Sequence, residues 1–383
     1  MTSSERAARL ATRLSFLVAG FGIACWAPLV PYAKERLGVG DATLGLLLLC
    51  IGIGSVTAMI LTGPLSARFG SKPVILAGGF GLAAVLPFLT LAPDPLTLAA
   101  ALLAFGAALG SIDVAMNIHA VEVERAAGVP LMSGFHALFS IGGFAGAGLM
   151  TSLLSWRVDP AIGTSACAAI MAVVMAIAAP RLLRDAQTEE GPLFVAPRGI
   201  VVLLAGLAGA TFLVEGAMLD WSALLITRAG LVAAQQGGMG YMFFAIAMTI
   251  GRFAGDAVTQ RIGDRAVLFG GGIVAVTGFV ILLLAPGIVI AVAGFVLIGL
   301  GASNIVPVLF RKAGSQAVMP MALAIGAITT TGYAGILVGP AGIGFVAGAV
   351  GLETAFWMLA ALMCIVPATA SIVAGGKGSR ASI

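Results

Sequence analysis

Residues 94–118 read DPLTLAAALLAFGAALGSIDVAMNI. From Pro95 to Ile118 the only charge is Asp113. A helix of that length rises about 36 Å, enough to cross a hydrocarbon core of about 30 Å. Asp94 stands ahead of Pro95, which pairs a capping carboxylate with a proline suited to a first helical turn. Asp159-Pro160 repeats the device, and Asp41 is placed to cap the second run in the same way. The run is continuously apolar rather than alternating, so it predicts a membrane-spanning helix and not a strand of a β-barrel.

The rest of the chain has the same character. Of 383 residues, 60% are hydrophobic and 9% charged, and the mean hydropathy is +1.11. A soluble domain carries about a quarter of its residues charged, so lipid must be part of this chain's solvent. Twelve runs follow, at about 10–32, 41–62, 73–92, 95–118, 131–154, 159–180, 199–225, 235–257, 265–286, 288–310, 319–346 and 350–374. The first reads as a span and not as a removed signal peptide, because no small-residue cleavage site follows it. Cys25, Cys50, Cys167 and Cys364 all lie in apolar runs, without disulfide or metal spacing. The 53 glycines suit close helix packing. Those at 142, 143, 146 and 148 on the fifth span, and at 332, 335 and 339 on the eleventh, have no phosphate-loop spacing. Gly339-Pro340 is also a place for a bend.

The net charge of +4 does not point to nucleic acid, because the basic residues fall in short loops. With the N-terminus in the cytoplasm, sixteen Lys and Arg fall inside, Arg252 among them, against Lys34, Arg36, Arg157 and Arg228 outside. This predicts that both termini are cytoplasmic. The polar stretch 181–198 reads as a cytoplasmic linker between six-helix bundles at 1–180 and 199–383.

The halves also echo each other. Arg68-Phe69-Gly70-Ser71-Lys72 follows the second span and Arg261-Ile262-Gly263-Asp264-Arg265 the eighth, 261 − 68 = 193 residues apart. A basic-x-Gly-x-basic turn once per half is what a duplicated transporter produces. These turns resemble the loop motif of the major facilitator superfamily, Gly-x-Leu-Ala-Asp-Arg-x-Gly-Arg-Lys. Gly63, Leu65, Arg68, Gly70 and Lys72 match it, while Ala67 replaces its aspartate. Gly251-Arg252 and Gly255-Asp256, read at a helix end, are candidates to supply the conformational ion pairs instead. Three further stretches resemble the YbjJ/MosC-like branch, which is related to fucose permease-type transporters. They are GSIDVAMN at 110–117, FHALFS at 135–140 and EGAMLDWSAL at 215–224; GLGASNIVP at 299–307 also fits. The resemblance implies an all-α fold of two pseudo-symmetric six-helix bundles, with sugar or polyol uptake inferred from relatives.

An ionisable residue inside a membrane is a functional candidate by default. Asp113 is the first, with Asn117 one turn on and on the same face. The resemblance implies the same pair, since fucose permease-type transporters carry an acidic residue followed four later by asparagine on this helix. The alternative is a structural hydrogen bond between helices. Counted from the cytoplasmic ends of their spans, Asp113 and His136 both lie about 8 Å deep, so they can meet. His136 can equally donate to a backbone carbonyl. Glu215 counts into the outer half of the seventh span, where it lines a cavity or pairs with Arg228. Asp220 beside Trp221 lies near the interface and can be simply solvated. Asn304 stands 304 − 113 = 191 residues after Asp113, as its repeat equivalent. Trp26, Tyr241 and Tyr333 can stack on a sugar ring, although aromatics in spans more often pack or anchor.

The sequence therefore predicts a multi-pass inner-membrane secondary transporter, not an enzyme. It needs no cofactor or metal, and acts as a monomer in the bilayer on a small molecule together with protons. Asp113, His136 and Glu215 are the proton-coupling candidates. Asn117, Trp26, Asn304, Tyr241, Tyr333, Asp220 and Trp221 are the substrate candidates. Gly63, Arg68, Gly70, Lys72, Arg252, Asp256, Arg261, Gly263 and Arg265 are the conformational ones. The expected activity is uptake of a small hydroxylated solute such as a sugar, polyol or amino-polyol. Proton-driven export of amphiphilic compounds is the rival, with a wider, more apolar cavity. A membrane sensor that binds without flux is the other.

Overall fold

Backbone in hydrocarbon must satisfy its own hydrogen bonds, and helices do so within one segment. The computed structural model describes residues 3–183, 195–233 and 236–375, and among them there is helix and connecting turn but no strand. Ten helices are long and apolar enough to cross a membrane, and an eleventh span is the bent pair Met321–Leu337 and Gly342–Val350. One of the ten, Met239–Leu283, has 45 residues and a non-helical Gly263 inside it. At about 68 Å it is two spans joined end to end. Ten, one and this extra one make twelve. The bend in the eleventh span is 42°; the side chain of Pro340 lies outside the described residues, as do Arg184, Lys377, Arg380 and most of the linker.

The two echoing turns share one backbone geometry. Gly70 has φ 84° and ψ 163°, and Gly263 has φ 78° and ψ 162°. This region is open only to glycine. It lets a helix stop and restart within one residue, so the sequence echo at a spacing of 193 is also a structural one. Helix entries divide more finely. Asp94 accepts from the backbone N–H groups of Leu96 and Thr97 and completes a capping box with Thr97. Those N–H bonds, the one from Thr97 first, hold its carboxyl below the ordinary aspartate range. Asp159 caps Ala161 and Ile162. Before the second span the N-cap is Gly40, so Asp41 is the first helical residue and not the cap.

The chain divides into two compact units. Unit 1 is Met1–Val129, Phe135–Ala196 and Pro320–Gly326; unit 2 is Pro130–Gly134, Pro197–Met319 and Ala327–Ile383. Inside unit 1 the fifth span packs on the first through Gly142 and Gly146, where a methyl group would strike the carbonyls of Leu17 and Phe21. Gly143 and Gly148, on the same span, meet nothing and play no such part. In unit 2, Gly335 meets the carbonyl of Gly209 in the same manner, and Gly332 the ring of Phe212. All four cysteines are free, and the buried Cys25 thiol donates to the Gly146 carbonyl at 3.7 Å.

His119, which the sequence reading passed over, is fully buried. The amide of Leu183 donates to its Nε2 at 3.0 Å, so that nitrogen carries no proton. Its Nδ1–H then donates to Thr12 Oγ1 at 3.0 Å, and that hydroxyl donates to the Ala8 carbonyl at 2.9 Å. One neutral imidazole thus ties together the first span, the fourth, and the chain leaving the sixth.

Two stability measurements follow from these contacts. Gly263→Ala is expected to cost about 1–3 kcal/mol and to lower the unfolding midpoint in detergent, whereas Gly206→Ala, at a helical site with open space, does not lower it. His119→Leu strands the Leu183 N–H, with an expected loss of about 1–3 kcal/mol, of which His119→Gln should recover part.

Candidate functional site

The Thr12–His119 bond sets the register between the first and fourth spans, which run in opposite directions. Counted outward from it at about 1.5 Å per residue, Phe16 comes level with Ala115, and Asp113 lies about 3 Å further. His136 meets Phe16 edge-on at 5.2 Å between centroids. Asp113 and His136 therefore share one level of unit 1 to within about a helical turn. The depths are not those counted from sequence. The fourth span runs on to Ala127, past the apolar window, so Asp113 is 14 residues from its end and near its middle. His136 is four residues into a span that begins at Met132; the levels agree because the fourth span overhangs the fifth.

Asp113 is 7% exposed and Asn117 1%. Asn117 Nδ2 donates to the Asp113 carbonyl at 2.8 Å, which fixes the amide and leaves Oδ1 buried with no hydrogen-bond partner. Trp26 is buried with its indole N–H unpartnered. Fourteen residues outward from Thr12, it lies about 12 Å above the Asp113 level, so it is not part of this cluster.

A second cluster forms in unit 2. Glu215 is residue 16 of the 29 in Ile200–Arg228, so it lies at mid-span and not in the outer half, because the helix continues past the predicted 225. Its partner is not Arg228. Arg252 Nη2 reaches Oε1 at 3.4 Å and Oε2 at 3.5 Å. Arg252 is itself buried, at 7%, in the middle of the eighth span, because that span continues to the break at Gly263. It is therefore neither at a helix end nor one of the loop basic residues, and the inside count falls from sixteen to fifteen. The charges of Glu215, Arg252 and Asp220 all act on the hydroxyl of Tyr241, which gathers these four side chains into one neighbourhood. Asp220 is exposed. Trp221 packs near Gly344, with its indole N–H buried and unpartnered, and Tyr333 packs against Phe212 at 6.3 Å.

Asn304 lies where the tenth span breaks, between helices Ile288–Ala302 and Ile305–Ser315. Its Nδ2 donates to the Gly251 carbonyl at 3.0 Å and to Ser303 Oγ at 2.9 Å. A methyl group at Gly255 would collide with Asn304 Oδ1, so the glycines of the eighth span make the seat for this break. Asp256 receives the backbone N–H groups of Ser133 at 2.9 Å and Gly134 at 2.8 Å, a carboxylate at a helix N-terminus.

The loop residues divide. Gly63 is buried 3.2 Å (as a methyl would stand) from the Ala322 carbonyl, Arg68 stacks over Phe69, and Arg261 and Arg265 are exposed. Lys72 is half-buried within electrostatic reach of His119. The ion pairs come from Asp264, which the motif pattern did not single out: it meets Arg311 at 2.5 Å and Lys312 at 2.9 Å. Among the described residues no cluster of three His, Cys, Asp or Glu could hold a metal.

Twelve apolar spans, an internal repeat and paired charges at mid-span define a multi-pass membrane transporter. The major facilitator superfamily model matches residues 14–322, and the chain belongs to that superfamily. It is 50% identical over 366 residues to an uncharacterised MFS-type transporter of Yersinia pestis, covering 95% of each chain. It is 32% identical over 359 residues to the membrane protein MosC of Rhizobium meliloti, covering 93% of this chain and 88% of MosC. Among solved structures it resembles the Escherichia coli fucose:proton symporter FucP, with a TM-score of 0.78 and 16% identity over 96% of this chain and 98% of that one. The human organic anion transporter MFSD10 gives a TM-score of 0.77 at 16% identity, over 97% of this chain and 100% of that one. These structures share the fold.

If the Glu215–Arg252 pair holds unit 2 together, Arg252→Leu alone strands a buried carboxylate and costs about 3–5 kcal/mol. The double variant Glu215→Leu/Arg252→Leu should lose less than Arg252→Leu, as measured by thermal unfolding in detergent.

Proposed function

We propose that this chain couples proton entry to uptake of a small hydroxylated solute by alternating access, with Asp113 as the coupling carboxylate. One observation carries the reading. Asn117 Oδ1 is a buried acceptor without a donor, one turn from a buried carboxylate, and such an atom costs free energy until a donor arrives. A hydroxyl of a sugar, polyol or amino-polyol supplies that donor. His136, at the same level, is a candidate relay for the proton. Glu215 is the coupling candidate of the second half, and Asn304, beside Gly251, its polar partner. That FucP is named a fucose:proton symporter agrees with this reading, although at 16% identity the weight rests on Asp113 and Asn117.

The moving parts in this reading are the bundles 1–180 and 199–383, joined by the linker 181–198, in a monomer of the inner membrane. With Arg252 removed from the loops, fifteen basic residues against four support cytoplasmic termini.

Proton entry into proteoliposomes is measured on adding a panel of sugars, polyols and amino-polyols. Wild type should show solute-dependent proton entry. Asp113→Asn should abolish it while keeping solute exchange, and Asn117→Leu should weaken the solute's apparent affinity by about tenfold. Proton movement that persists in Asp113→Asn sinks the coupling assignment. Solute binding without flux in wild type sinks transport in favour of the sensor reading.

A further inference from the structure

At one end of unit 2 the seventh, ninth and eleventh spans finish together, at Arg228, Leu283 and Val350. Between them lies a cavity of about 410 Å³, within the range that holds small molecules. Its floor is apolar: Leu225, Ile226, Leu282 and Leu352 are all buried. Its rim carries one charge of each sign, Arg228 and Glu353, both exposed. Neither makes a salt bridge or hydrogen bond among the described residues, so two opposite charges face one cavity without neutralising each other. Three helix C-termini end there, with the negative ends of their dipoles, and one helix N-terminus, that of Leu352–Met363, opens there with the positive end of its own. Beside the cavity, Val350 is 54% and Leu284 67% exposed, an apolar shoulder where the spans meet the membrane surface.

From this arrangement we propose that the cavity binds a zwitterionic phospholipid of the phosphatidylethanolamine type, with its ammonium on Glu353 and its phosphate on Arg228. The rim charges are complementary to that headgroup. The three carbonyl ends and Glu353 favour the ammonium, while the N-terminus at Leu352 and Arg228 favour the phosphate, so a headgroup carrying both charges fits better than a purely anionic one. The apolar floor and shoulder suit an acyl chain. The site is separate from the Asp113 and Glu215 clusters and does not depend on which solute the protein carries.

Native mass spectrometry of the purified full chain in detergent tests this, with titration of phosphatidylethanolamine, phosphatidylglycerol and free O-phosphoethanolamine. Wild type should retain phosphatidylethanolamine over phosphatidylglycerol. Arg228→Gln and Glu353→Gln should each weaken its binding by about tenfold, and Glu353→Gln should erase the preference between the lipids. Arg228→Lys, which keeps the charge, should bind nearly as wild type does and guards against a folding defect. Equal binding of the two lipids by wild type overturns the proposal, as does wild-type affinity in both Gln variants. Free O-phosphoethanolamine binding as tightly as the lipid also overturns it, because a soluble solute would then be the ligand.

Discussion

Hydrocarbon offers no hydrogen bonds and little dielectric screening, and most of what this chain does structurally answers that constraint. Backbone groups close on themselves in helices, so irregular backbone appears only where something supports it. The break in the tenth span is supported by Asn304, which bonds to the Gly251 carbonyl of the eighth span and to Ser303. The breaks at Gly70 and Gly263 lie between spans, where a helix must reverse, and only glycine accepts their torsion angles. Close packing then does what the hydrophobic effect cannot do between helices in lipid, which is why glycines rather than large residues mark the contacts of the first span with the fifth and of the seventh with the eleventh.

The same constraint governs the charges. A carboxylate at mid-span is tolerated when it is paired or when function requires it. Glu215 is paired, with Arg252, through a single guanidinium nitrogen at 3.4 and 3.5 Å, longer than a close charge-assisted bond. Asp113 lies at the level of an aromatic pair, Phe16 and Phe135, one turn from an asparagine whose oxygen lacks a donor. The two halves of the repeat have thus diverged in chemistry while keeping their turns. Both leave a buried asparagine oxygen without a donor, at Asn117 and at Asn304, and the second adds the Glu215–Arg252 charge pair.

His119 shows how an inert reading and a functional one are told apart. Both ring nitrogens are engaged and the tautomer follows from the Leu183 amide, so the residue has no vacancy for a second proton. It acts as a fastener that sets the register between the first and fourth spans.

Apolar run length alone determined the twelve spans, since about 20 uncharged residues in lipid have one stable form. The 193-residue echo determined the repeat, because its glycines are required by backbone geometry and not by packing. Asp113, Asn117 and Glu215 were visible for the same reason, as polar atoms conspicuous in apolar context. What sequence left open was partnership and depth. From sequence Glu215 either lines a cavity or pairs with Arg228, whereas the cation that meets it in space, Arg252, arrives on another helix. Asp264, not its basic neighbours, carries the loop ion pairs because Arg311 and Lys312 come from a distant span. Helix ends also ran past their apolar windows, to Ala127 and Arg228, since a helix continues wherever its backbone bonds continue and does not stop where hydrophobicity does. Hydropathy reads one helix at a time, and pairing across helices is decided only when their faces meet.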